Sequence, residues 1–150
     1  MPYSGQEYAR SFVMHRAALV DLLDQVPEDR GEFSAWEGGM TFRALADHLA
    51  GASDRFARMM AGETPSPVEP SADLAEARER LRAGLESTRT FLAGLSDEQL
   101  ARRVQAFGGR EMPAYTLADF LVQHEAHHKG QVWMMARMIG LKPPMFVRLG

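Results

Sequence analysis

The stretch LADFLVQHEAHHKGQVWMM, from Leu117 to Met135, decides the fold. Leu117, Leu121, His124, His128, Gln131 and Met135 step by fours and threes. That is the spacing of one face of an α-helix, so two histidines stand in the middle of a core-facing seam. At four residues apart they stack on one face and can reach one ion. Each would otherwise need a polar partner away from water, at a cost of roughly 1–3 kcal/mol per unsatisfied group. Outward from this stretch, the helix is expected to start at Thr116 and end near Ile139, with Gly140 as its stop and Pro143-Pro144 beyond.

Three further long helices follow from the same pattern. Tyr8, Phe12, His15, Leu19, Leu22 and Val26 mark a first helix from about Ser4 to Val26, ended by Pro27. Thr41 is the expected N-cap of a second, running to about Ala61 with the stripe Leu45, Leu49, Ala52, Phe56 and Met59, and His48 on its flank. Gly62 to Pro70 carries three prolines and reads as a connection across the bundle end. A third helix is expected from Ser71 or Asp73 to about Ala93, burying Leu74, Ala77, Leu81, Leu85, Thr88 and Leu92. Ser96 and Gln99 stand in capping-box register for a short turn. Residues 104 to 115, with Gly108-Gly109 at their centre, fit a small hairpin and an irregular loop equally. The expectation is a single all-α domain over residues 1–150, a four-helix bundle.

Composition narrows the function classes. The chain has 150 residues, enough for one real core, and a formal net charge of −3, which gives no broad footprint for nucleic acid. No eighteen-residue apolar run and no basic, then apolar, N-terminal leader is present, so neither a membrane span nor an export signal is expected. With no cysteine, disulfides, thiolate ligands and a cysteine nucleophile are excluded. A cytoplasmic location fits.

His48 adds a third imidazole from a second core-facing segment. Three neutral imidazoles with an open fourth position make a catalytic-type site for one divalent ion. Zinc or nickel is expected first, with iron also admissible, since imidazole suits each. His124-Glu125-Ala126-His127-His128 also spells H-E-x-x-H, in which the glutamate serves as general base of a zinc peptidase. That chemistry needs a third, usually downstream, ligand, and residues 129–150 contain no Asp, Glu or His. Glu125 is therefore expected as a solvated surface residue, with support of a ligand as the alternative. A di-iron site would need a second E-x-x-H, which is absent. His127 leaves the seam and is expected at the surface. His15, on the first stripe, is expected as a hydrogen-bonded core histidine, the alternatives being a fourth ligand or a substrate contact. Gly130 reads as a tolerated helix defect or as a point of close approach.

The segment His124-Glu-Ala-His-His128-Lys-Gly-Gln131-Val, followed by Gly140-Leu-Lys-Pro-Pro144, resembles the DinB/YfiT-like family of metalloenzymes. The match extends to Thr41-Phe-Arg-Ala-Leu-Ala-Asp-His48-Leu. The resemblance implies an up-up-down-down bundle with a long crossover between the second and third helices, and metal ligation by His48, His124 and His128. Lys129 stands where arginine is commoner, a position that would tune packing or charge. The resemblance also implies a transferase using a low-molecular-weight thiol and a small electrophile. The alternatives are a metal-dependent hydrolase and a non-catalytic metal-binding stress-response protein. Arg43, Arg55 and Lys129 are candidates to meet a carboxylate-bearing thiol. A homodimer is expected, because Trp133, Met134, Met138 and the tail from Leu141 to Leu149 offer more apolar surface than one seam can bury.

Overall fold

The computed structural model describes residues 3–150. Four long helices are found: α1 (Gly5–Leu23), α2 (Phe42–Met60), α3 (Leu74–Ala93) and α5 (Ala114–Met138), with a short α4 (Asp97–Ala101) between the last two. Four of the five helix starts are capped by a side chain. Ser4 and Glu7 close a reciprocal capping box on α1, and Ser96 and Gln99 close another on α4. Thr41 accepts the Ala44 N–H, and Asp73 accepts that of Glu76. α1 stops three residues short of the expected Val26. There the chain tightens into i→i+3 bonds, Gln25 to Leu22 and Val26 to Leu23, while Val26 still packs in the core. α5 begins two residues early, because Pro113 has the φ and extended ψ of an N-cap. On α2 it is Met60, not Met59, that is buried.

Residues 103–113 form the hairpin. β1 (Arg103–Gln105) pairs antiparallel with β2 (Glu111–Pro113), with Val104 opposite Met112. Gly108 and Gly109 both take positive φ at its tip, which is why glycine stands at both positions.

α1 and α2 each pack against both α3 and α5. Two core clusters fill the bundle. One joins the C-terminal halves of α1 and α5 to the N-terminal halves of α2 and α3, as Leu19, Leu22, Leu45, Leu49, Leu81 and Val132 show. The other, around Phe12, Phe56, Leu92 and Leu121, joins the opposite halves. The helix directions are therefore up-down-down-up, which corrects the up-up-down-down order implied by resemblance. The expected crossover between α2 and α3 is present and is the reason: it keeps those two helices parallel. Its thirteen residues, 61–73, span up to ~43 Å when extended. The nineteen residues of α2 rise only ~28 Å.

Among the described residues no helix is long and apolar enough to cross a membrane.

Candidate metal centre

The bundle brings His48 of α2 and His124 and His128 of α5 together. One ring nitrogen from each lies within 4.8 Å of the others, and the three ring centroids stand 4.6 to 4.8 Å apart. All three rings are half-buried. Nε2 of His48 and Nε2 of His124 face each other at 3.0 Å. Two nitrogens bound tetrahedrally to one ion at ~2.05 Å would be ~3.3 Å apart, so the pair is already close to ligand spacing. Nδ1 of His128 bonds Oε1 of Gln131 at 2.7 Å. With that nitrogen protonated, Nε2 of His128 keeps its lone pair, the usual way an outer partner fixes a ligand's tautomer. Nδ1 of His124 is buried without a partner.

Electrostatics favour the ligand form. Burial, reinforced by the His128, His48 and Arg55 charges, pushes the His124 pKa down to about 4. Burial, then His128 and Arg55, lowers that of His48. Neutral imidazoles are what a cation requires. Three nitrogen donors, nearly converged, fit a divalent ion with a position left for an exogenous ligand.

Glu125 overturns the surface expectation. It is 1% exposed, and its carboxylate receives Nε of Arg16 at 2.5 Å and a terminal guanidinium nitrogen at 2.9 Å. Arg16, fully buried, also donates to the Leu49 carbonyl at 3.0 Å and the Leu81 carbonyl at 3.3 Å. One guanidinium thus ties α1 to α2, α3 and α5. Gly84 makes room, since a Cβ there would lie 3.1 Å from the Arg16 terminal nitrogen. The buried face of α5 is centred on Ala118, Leu121, Glu125, Val132 and Ala136, and the histidines stand on its flank. The signal missed in the sequence was a pair of opposite charges each set among apolar residues at helical spacing, Arg16 between Phe12 and Leu19, Glu125 between Leu121 and Val132.

The remaining candidates separate cleanly. His127 is exposed, as expected. His15 lies outside the cluster, with Nδ1 3.0 Å from Nζ of Lys129. That agrees with the hydrogen-bonded core reading. Lys129 is 3% exposed and also bonds the Phe146 carbonyl. It fastens the C-terminal tail and is not at the mouth of a pocket. A Cβ on Gly130 would meet nothing within 4 Å, so no other helix approaches it closely.

Two cavities adjoin the histidines. The larger, about 1000 Å³, lies between α2, α3 and the crossover, and its lining includes His48, Arg43, Arg55 and Arg80. Arg43 is paired with Glu32, and Arg80 with Glu76. Arg55 enters no ion pair among the described residues. The smaller, about 250 Å³, touches His128.

The model of the DinB family matches residues 1–149. YjoA of Bacillus subtilis (strain 168) is 27% identical over 134 residues, 86% of each protein. The crystal structure of that DinB-like protein has a TM-score of 0.82 at 24% identity, over 95% of this chain and 98% of that one. B. subtilis YfiT, described as "a probable metal-dependent hydrolase with an unusual four-helix bundle topology", gives 0.72 at 18% identity over 92% and 89%. The mycothiol-dependent maleylpyruvate isomerase gives 0.64 at 17% identity, over 96% of this chain and 66% of that longer one. At these identities the structures share the fold.

Proposed function

The chain belongs to the DinB family, and from that premise we propose that it is a metal-dependent enzyme that activates a small thiol for transfer to an electrophile. His48, His124 and His128 would hold one divalent ion. That ion would lower the pKa of a thiol and so supply thiolate at neutral pH. The observation that carries the thiol reading is the position of Glu125. In H-E-x-x-H chemistry the glutamate takes a proton from water. Here both oxygens of that glutamate are engaged by Arg16 inside the core. A thiol needs no such base, because its proton can leave to solvent. The sulfur then bonds to the electrophilic carbon, and the leaving group departs with its electron pair.

The chain's own residues would orient the reactants. Gln131 sets the tautomer of His128. Arg55, the cavity-lining guanidinium without a carboxylate partner, is suited to hold an anionic group on the thiol beside His48. Hydrolysis is the second reading. It is favoured by the likeness to YfiT, a probable metal-dependent hydrolase.

The test is spectroscopic. Cobalt-loaded protein is titrated with mercaptoacetate and with 2-mercaptoethanol. A change in the visible spectrum on thiol addition is expected. A spectrum unchanged by either thiol over roughly pH 6 to 9, which brackets the free thiol pKa, refutes the transferase reading.

A further inference from the structure

The smaller cavity differs in chemistry from the larger. Its walls are Trp36, Met40, Met134 and Met135, with Leu45 behind and His128 at one side. No charged residue lines it. Its other polar group, Gln131, has its carbonyl oxygen engaged by His128. A dry cavity of ~150 Å³ already accepts benzene, so about 250 Å³ takes one aromatic ring with a short substituent. Methionine side chains adapt to such ligands, and sulfur contacts to ring edges are favourable.

The position of Trp36 is built. Its indole is 63% exposed, yet it does not hang free. The Ser34 hydroxyl donates to the Trp36 carbonyl at 2.9 Å, the Gly39 N–H donates to the same oxygen at 2.9 Å, and a bridge between Ser34 and Thr41 closes the turn. The turn needs glycine twice. Gly38 has a φ of +83°, and a Cβ on Gly39 would lie 2.9 Å from the indole. A closed turn thus holds an exposed aromatic wall over the space beside His128.

We propose that this cavity is the binding site for the electrophilic reactant, and that the reactant is a small uncharged molecule whose recognised part is apolar or aromatic. This rests on the transferase reading for its role, but not for its binding. The two reactants would reach the histidines through different cavities. The anionic thiol would come through the cavity at His48 and the apolar electrophile through the one at His128. Met40 lines both.

The test uses metal-free protein carrying ¹³C-methyl methionine, titrated with toluene and followed by NMR. Saturable shifts are expected at Met40, Met134 and Met135, with Met14 and Met60 unmoved, and the His128 ring protons should follow the same curve. Ala35→Leu, which fills the cavity from its lining, should weaken binding at least tenfold. Trp36→Ala, at an exposed position that leaves the core intact, should weaken it several-fold. Arg55→Gln should leave it unchanged. The proposal is overturned by toluene that shifts no cavity methyl, or by equal affinity in wild type, Ala35→Leu and Trp36→Ala. It is also overturned by methyl shifts that follow protein concentration instead of toluene, which would mean a second copy covers the site. No metal or thiol is present, so failure here is distinct from failure of the thiol reading.

Discussion

Replacing Glu125 with glutamine separates a structural role from a catalytic one. The substitution keeps the shape and removes the charge, leaving the fully buried Arg16 without its anion. Two charge-assisted bonds, at 2.5 and 2.9 Å, are lost or weakened. Uncompensated burial of one member of such a pair costs about 3–5 kcal/mol. For a chain of 150 residues that lowers Tm by roughly 10 °C. The double variant Arg16→Met, Glu125→Met should recover most of the loss, within about 2 kcal/mol of wild type, since it removes the stranded charge. The Leu49 and Leu81 carbonyls are mid-helix and keep their own backbone bonds. Urea unfolding of chelator-treated protein measures this without a contribution from bound metal. The reasoning also requires Glu125→Gln to retain metal affinity. A variant within about 1 kcal/mol of wild type that kept its metal but had lost activity would refute it, and would give Glu125 the role of general base.

Three other outcomes follow from the same geometry. His124→Ala and His128→Ala should each lower zinc affinity by more than ~100-fold, Gln131→Leu by ~10–100-fold, and exposed His127→Ala hardly at all, as read by competition with a chromophoric chelator. The metal-free protein should lose stability as pH falls from the ordinary histidine value of 6.5 towards 4. The unfolded chain takes up a proton there that folded His124, lowered to about 4, does not, and thermal melts across that range should show a fall of about 1–2 kcal/mol after allowance for partial exposure. Full stability returns above 6.5, so a melt that is flat or improves on acidification contradicts the burial of these rings. Trp133, counted in the expected dimer surface, is buried against the tail, where it donates to the Pro144 carbonyl, so Met138, Met145, Phe146 and Leu149 are left as the apolar surface for the expected homodimer, and light scattering that shows a monomer at micromolar concentration would remove it.

Much of the fold was legible because capping residues and apolar periodicity are local signals. Thr41, Ser96 and Gly140 marked helix ends before any tertiary contact was known. The histidine cluster was legible for a similar reason. Residues 124 and 128 share a face in any helix, and only His48 depended on how two helices meet. Glu125 and Arg16 were not legible, because a lone charge on a helix is ordinarily solvated. Their burial is set by a pairing across 109 positions of sequence. Helix direction also escaped the sequence, since it depends on which end of the bundle each connection stays at. The 24–41 loop folds back at one end through Val26 and Phe33, whereas the proline-bearing 61–73 segment runs the length of α2. Lys129 misled for a further reason: a basic residue beside a histidine suggested a pocket mouth, while its alkyl stem and ammonium are enclosed by Trp133, Phe146 and His15.

The central claim is that these three imidazoles form one metal site. Its most direct test is elemental analysis of protein purified without a histidine tag, equilibrated with zinc and dialysed, beside His48→Ala treated identically. The account predicts about one zinc per chain in the wild type and almost none in the variant. Retention of zinc by His48→Ala, or none in the wild type, would contradict it.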